Sequence, residues 1–199
     1  MTLFPAFLKL EGRHCLVVGA GPVAEDKIPG LLRAGAKVRV VAPEATERIR
    51  NWASAKKIIW EQRAFRARDL AGAFLVIAAT PSGALHARIQ AQARRRGVLC
   101  NAVDDPEHCD FFYGAVMRRG GLLIAISTSG RSPALAQRIR KKLEQEFSEE
   151  YAAWVEEIGT IREWLFEKNI TVERRRTLLH RLASHVSFEE FLRRQQKRK

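Results

Sequence analysis

Between an apolar run that ends in glycine, His14-Cys15-Leu16-Val17-Val18-Gly19, and a helix-like stretch from Val23 to Arg33 stands Gly19-Ala20-Gly21-Pro22-Val23-Ala24. A short apolar run, a glycine-rich turn and a helical period in that order constrain the fold strongly. Gly35 follows as a helix-ending glycine, and Val38 to Ala42 supplies a second apolar run. The first forty residues therefore predict a βαβ unit, whose parallel strands require a right-handed crossover.

The same alternation continues. The spacing predicts a helix over 46–55, strands over 58–60 and 74–79, a helix over 83–96 and a strand over 98–101. This pattern is that of an α/β Rossmann domain with a doubly wound parallel sheet. Pro29 falls inside the first helix, where it should kink or tighten the chain. After Pro106 the rhythm changes. Phe111 to Met117 and Leu122 to Ser127 are β-like and joined by Arg118-Arg119-Gly120-Gly121, which reads as a hairpin. Ser132 and Pro133 open a helix that runs to about Phe147. From Ser148 onward the periodicity is helical only, with breaks near Asn169 and at Ser184 to Ser187. The basic end, Arg193 to Lys199, is expected to fray. The expected divisions are a dinucleotide-binding domain over 1–113, a hairpin and helix segment over 114–147, and an α-helical tail over 148–199.

Each small residue of the turn has a mechanical reason. The segment fits the G-x-G-x-x-G/A dinucleotide fingerprint, with Gly19 for the tight turn, Gly21 for close approach of a pyrophosphate, and Ala24 for helix-on-strand packing. Pro22 donates no N–H, so Val23 and its neighbours must receive the phosphate charge. A tight turn without ligand, or a site for S-adenosylmethionine, would use similar residues. An acidic residue about twenty positions on should hold the ribose hydroxyls. Glu44, after Pro43, is the nearest candidate and lies slightly late, which favours NAD over NADP only moderately. Thr80, after the run ending at Ala79, completes the expected cofactor contacts.

The loop after the strand at 98–101 leaves the carboxyl edge of the sheet, where ligands sit in open α/β folds. It carries Asn101, Asp104 and Asp105. The two carboxylates would also shape an ordinary Asp-Asp-Pro turn. His108 and Cys109 stand side by side, a poor chelate, and no further ligand appears at suitable spacing, so no protein-held metal is expected. A second cluster, Ser127-Thr128-Ser129-Gly130-Arg131-Ser132-Pro133, combines hydroxyls, an arginine and a helix start suited to carboxylates. The same residues would also make an ordinary capped helix.

The formal net charge of +13 over 199 residues must attract an anion, whether nucleic acid, a membrane surface or an acidic small molecule. Charge does not choose among them. The clusters Arg94 to Arg96, Arg138 to Lys142 and Arg174 to Arg176 read first as solvated helix faces. No apolar run reaches eighteen residues, and MTLFPAFLKLEG lacks the basic start and apolar stretch of a secretory signal. A cytoplasmic location and no membrane partner are therefore expected. Cys15, Cys100 and Cys109 are odd in number and lack CxxC spacing, as buried reduced thiols would.

The segments FPAFLKLEGRHCLVVGAGPVAEDK, LLRAGAKVRVVAPE, FLVIAAT, LCNAVDDPEHCDFFYGAV and ISTSGRSPALAQRIRKKLE, in order from about residue 4 to 145, resemble the precorrin-2 dehydrogenase family, including the N-terminal part of sirohaem synthases. The resemblance implies NAD as cofactor, a homodimer with a dimerisation segment over 114–147, and an acidic tetrapyrrole substrate. Family members pass a hydride from precorrin-2 to NAD⁺ with loss of protons, giving sirohydrochlorin, and some also insert ferrous iron. Asp104 matches the family's functional aspartate, which implies that it accepts a proton from the macrocycle. Asn101, Asp105, Ser127, Thr128, Ser129, Arg131 and Ser132 are the corresponding substrate contacts. Thr128 stands where the family often has serine, which puts in doubt any role needing serine itself. A rival use of such a chain is a non-catalytic dinucleotide sensor with a basic nucleic-acid-binding tail. Nucleic acid is not expected as a partner, since the tail shows no recognition helix with interleaved aromatics.

Overall fold

A computed structural model describes residues 2–197. It divides into two units, Phe4–Phe112 and the chain from Tyr113 onward.

In the first unit β1 (His14–Val18) is followed by α1 (Pro22–Arg33), β2 (Lys37–Val41), α2 (Glu47–Ser54), β3 (Ile59–Glu61), β4 (Leu75–Ala78), α3 (Gly83–Arg94) and β5 (Leu99–Ala102). The strands form one parallel sheet in the order β3-β2-β1-β4-β5. Successive residues of each strand point to opposite faces, so β1 sends Cys15 and Val17 to one core and Leu16 and Val18 to the other. Ala24, Ile28 and Leu31 of α1 and Ile49 of α2 close the first face, while Ile89 and Ala93 of α3 close the second. Fully burying each large aliphatic side chain contributes about 1.5–3 kcal/mol. Gly35, at φ +75°, ends α1 as expected. The helix also runs unbroken through Pro29, which leaves the carbonyl of Glu25 without its usual helical donor.

An ion-pair cluster fastens the outer strand. Asp69, 1% exposed, takes two hydrogen bonds from Arg63 at 2.7 and 2.8 Å and one from the backbone N–H of Arg66 at 2.8 Å. Arg63 also pairs with Glu61 at the end of β3.

The second unit opens with a hairpin of β6 (Ala115–Arg119) and β7 (Leu122–Ile126), followed by α4 (Pro133–Glu146), α5 (Glu150–Glu167), α6 (Val172–Leu182) and α7 (His185–Gln196). The expected β-run from Phe111 begins only at Ala115, because residues 111–112 belong to the first unit, where the Phe111 carbonyl is held by Asn101. The turn is also shorter than expected. Arg118 and Arg119 stay in the strand, and Gly120 at φ +53° with Gly121 closes a two-residue loop. The break expected at 184–187 is shorter still, since Ser184 caps α7 through the N–H of Ser187. Arg193 to Gln196 continue that helix rather than fraying, while Arg198 and Lys199 lie outside the described residues. Tyr151, Trp154 and Phe188 pack ring on ring, with centroids 4.3 Å and 4.8 Å from Phe188, beside the buried Phe191. Arg119 donates to the carbonyls of Glu144 and Phe147, satisfying the otherwise open end of α4.

Candidate cofactor and substrate site

The strand order reverses between β1 and β4, and the loops leaving their carboxyl ends flank the crevice where doubly wound sheets take ligands. Gly19, at φ +99°, lies so close to β4 that a Cβ there would meet the Ala79 carbonyl. Its N–H donates to Val41 at the end of β2, and Thr46 N–H donates to Ala20. These two bonds draw the exposed Pro43 and Glu44 to the glycine turn, so the residues expected to hold the cofactor share one edge.

Three features of this edge fit a dinucleotide. Gly21 is the N-cap of α1 and no side chain caps it, which leaves first-turn N–H groups of Val23 and Ala24 for an anion. A Cβ on Gly21 would meet nothing within 4 Å, so the space in front of it is open. Thr80 Oγ1, beside Gly19, is buried without a hydrogen-bond partner among the described residues. Gly21, Val23 and Ala24 would hold the pyrophosphate and Glu44 a ribose. When bound, NAD⁺ would supply the hydride acceptor. Two cavities lie elsewhere, at the amino ends of the strands, and neither touches a residue of the turn. One, of about 510 Å³, is lined by His14, Lys37, Arg39, Lys56 and Lys57 among others.

The loop after β5 is more ordered than the sequence suggested. Asn101, an expected substrate contact, is 6% exposed and its amide donates to the Phe111 carbonyl at 2.8 Å and toward Cys109 Sγ at 3.4 Å. Its NH₂ group therefore fastens the loop rather than facing a ligand. Asp104 is exposed in the left-handed region at φ +59°. Asp105 instead turns inward, with Oδ1 2.8 Å from His108 Nδ1 and Oδ2 3.3 Å from His86 Nδ1. The hydrogen bond to His108 holds the Asp105 carboxyl below the usual range against the opposing effect of burial, and His86 adds to the lowering.

His86 was not singled out from the sequence. It lies on the face of α3 that carries Ile89 and Ala93, is 4% exposed, and its Nε2 has no hydrogen-bond partner among the described residues. An unmet buried polar group costs about 1–3 kcal/mol. A histidine on an otherwise apolar helix face beside a carboxylate loop is the signal that marks it. Cys109 is likewise committed, its thiol donating to the carbonyls of Ala102 at 3.0 Å and Asp105 at 3.3 Å. Burial pushes the Cys15 and Cys100 thiols up to about 11 and about 12, so both stay protonated.

Ser127 to Ser132 belong to the second unit. Ser127 Oγ accepts from the N–H of Ser129, Thr128 Oγ1 from that of Ser132, and Ser132 Oγ from that of Leu135. Their hydroxyl hydrogens and the exposed Arg131 remain as donors.

Comparison with known proteins agrees with this geometry. Residues 6–115 match a family model described as "Putative NAD(P)-binding", and residues 119–146 match one described as "Sirohaem biosynthesis protein central". A siroheme synthase of Photorhabdus laumondii is 38% identical over 177 residues, covering 89% of this chain and 38% of that protein. Siroheme synthase 1 of Serratia proteamaculans is 42% identical over 144 residues, covering 72% of this chain and 30% of that one. The chain thus spans well under half the length of these relatives. The solved structure of SirC, a precorrin-2 dehydrogenase, superposes with a TM-score of 0.75 at 28% identity, covering 98% of this chain and all of that one. The chain therefore belongs to the family described as "Putative NAD(P)-binding", and its 119–146 segment matches the central part of sirohaem biosynthesis proteins.

Proposed function

We propose that this chain is an NAD⁺-dependent dehydrogenase that oxidises precorrin-2 to sirohydrochlorin. The observation that carries the reading is the full-length likeness to SirC, joined to a carboxyl edge whose open glycine turn and unpartnered Thr80 hydroxyl suit a dinucleotide. In this reading Asp104 meets the macrocycle and accepts a proton from it while hydride leaves for NAD⁺. Ser127, Thr128, Ser129, Arg131 and Ser132 receive substrate carboxylates, and the net charge of +13 draws the polyanion in. A second copy of the chain packs on the 114–147 segment. Three unpaired cysteines suit a reducing compartment, so the reading includes the cytoplasm. No helix among the described residues is long and apolar enough to cross a membrane.

The rival reading, a sensor with a basic nucleic-acid-binding tail, is weakened by the tail's own charge. Residues 148–199 carry eleven Arg and Lys against nine Asp and Glu. The test is anaerobic incubation with precorrin-2 and NAD⁺, followed by Fe²⁺ or Co²⁺ to detect metal insertion. NADH release in step with precorrin-2 loss is expected, and its absence with correctly folded protein would sink the reading.

A further inference from the structure

We propose that the amino edge of the sheet holds a second ligand site, a cavity rimmed by Lys37, Arg39, Lys56 and Lys57 that takes a small multivalent anion with an apolar body, of the class of a nucleoside polyphosphate. It lies at the opposite ends of the strands from the cofactor turn and does not depend on the dehydrogenase reading.

The sheet itself builds the site. Side chains alternate along a strand, so His14 and Leu16 of β1, Lys37 and Arg39 of β2 and Ile59 of β3 share one face. They are neighbours across it, with His14 opposite Lys37, Leu16 opposite Arg39, and Arg39 opposite Ile59. Phe65 and Leu70, from the connection between β3 and β4, pack with Leu16 and Val41 on this face. Nearer the amino ends of the strands a cavity of about 510 Å³ opens instead, lined also by Ala71 to Ala73. That volume suits a small organic ligand. Ile59, 65% exposed, supplies apolar surface for its body.

The charge of the edge is one-sided. Lys37, Lys56 and Lys57 are exposed, and no carboxylate lines this cavity or the adjoining one of about 670 Å³, which shares His14 and Ala71 to Ala73 and adds Arg13 and Arg96. A cleft lined by one sign of charge concentrates the opposite ion. Two of the guanidinium groups are held in place. Arg39 pairs with Glu61 at 3.2 Å and donates to the Asp69 carbonyl, and Arg13 lies over the Phe74 ring, 5.1 Å from its centroid. The lysine ammonium groups act as point charges for phosphate.

Lys56 adds an independent observation. Its N–H donates to the Ala53 carbonyl and that of Lys57 to the Trp52 carbonyl, the paired bonds that close a helix, and Lys56 sits at φ +56° in the left-handed place that glycine usually takes. A lysine there strains the backbone where glycine would not. The side chain is thus kept at the expense of the fold, as residues of ligand clamps are.

Calorimetric titration of the full chain with ATP in about 0.15 M salt tests the site, since at that ionic strength loose surface attraction is largely screened. One ATP should bind per chain, excess NAD⁺ should not displace it, and Gly21→Val should bind it as wild type does, because the glycine turn is at the other edge. Lys37→Ser should weaken ATP binding by about 10-fold or more and leave NAD⁺ affinity unchanged. Lys56→Gly should also weaken ATP binding while melting no lower than wild type, which separates lost binding from lost folding. Inorganic triphosphate, which has no apolar body, should bind more weakly than ATP. Absence of ATP binding, displacement by NAD⁺, or wild-type affinity in both lysine variants overturns the site. Triphosphate binding as tightly as ATP overturns the apolar body, and citrate binding more tightly than ATP overturns the polyphosphate class.

Discussion

A Cβ placed on Gly19 would lie 2.1 Å from the carbonyl oxygen of Ala79 and 2.8 Å from its carbonyl carbon, so the glycine turn is pressed against the end of β4. At Gly21, two residues on, the same construction meets nothing within 4 Å. The two glycines of one fingerprint therefore have different physical causes. The first permits a backbone approach and a left-handed φ, and the second keeps open the space that a pyrophosphate fills.

Gly19→Ala should consequently cost stability, about 3 kcal/mol or more, because backbone contact and positive φ oppose it together. Gly21→Val should stay within about 1 kcal/mol of wild type in denaturant unfolding, since only a helix cap is altered. Calorimetric titration should then show NAD⁺ binding lost in folded Gly21→Val. Wild-type affinity in that variant would remove the turn from the cofactor site.

Asp104 offers a comparison in which stability and turnover separate. At φ +59°, alanine is strained by about 1–2 kcal/mol, whereas glycine is not. Asp104→Ala should unfold earlier than Asp104→Gly, yet both should lose about 10²-fold in NADH formation from precorrin-2 while still binding NAD⁺. If turnover instead recovers in the glycine variant, the residue serves the turn and not the macrocycle.

The βαβ core was legible because its signals are local: apolar strands four or five residues long, a glycine turn, and Gly35 ending α1 at φ +75°. The strand order was less accessible, since hydrogen bonds between β1 and β4 join residues sixty apart. Within the site, the cofactor loop could be read because its mechanics lie in consecutive residues. The pairing of His86 with Asp105 could not, as it joins a helix face to a loop nineteen residues later and neither residue's pattern names the other. Asn101 is ambiguous in the sequence for a related reason. A polar side chain at a strand end suits a ligand as well as it suits a loop, and only the position of the Phe111 carbonyl decides.

Acid should loosen the outer strand through Asp69. Burial raises the pKa of this carboxyl, but the hydrogen bonds from Arg63 and Arg66 outweigh it and leave the folded value below the ordinary 3.8. A depressed folded pKa contributes stability that is complete above the unfolded value and is lost as pH falls through the folded one. Unfolding free energy should therefore be steady above about pH 5 and decline below about pH 4. Asp69→Asn should be less stable at neutral pH and show a shallower acid slope. An unchanged slope in urea titrations at several pH values would exclude Asp69 as the source.

The hairpin unit carries the last prediction, that it is completed by a second copy of the chain. A lone two-stranded sheet is marginal in water, and β7 has no fully buried residue. Val116 on β6 is 44% exposed, and Leu135 and Ile139, one turn apart on α4, are 48% and 37% exposed. In an interface between identical copies related by a two-fold axis, each substitution is made twice, so a charge introduced at its centre counts double. Sedimentation of the wild-type protein at micromolar concentration should give a dimer. Val116→Glu combined with Ile139→Glu should give a monomer whose circular dichroism is close to that of wild type, because both side chains already face solvent within one chain. A wild-type monomer at these concentrations would refute the dimer, and a variant that remains dimeric would move the interface away from this face.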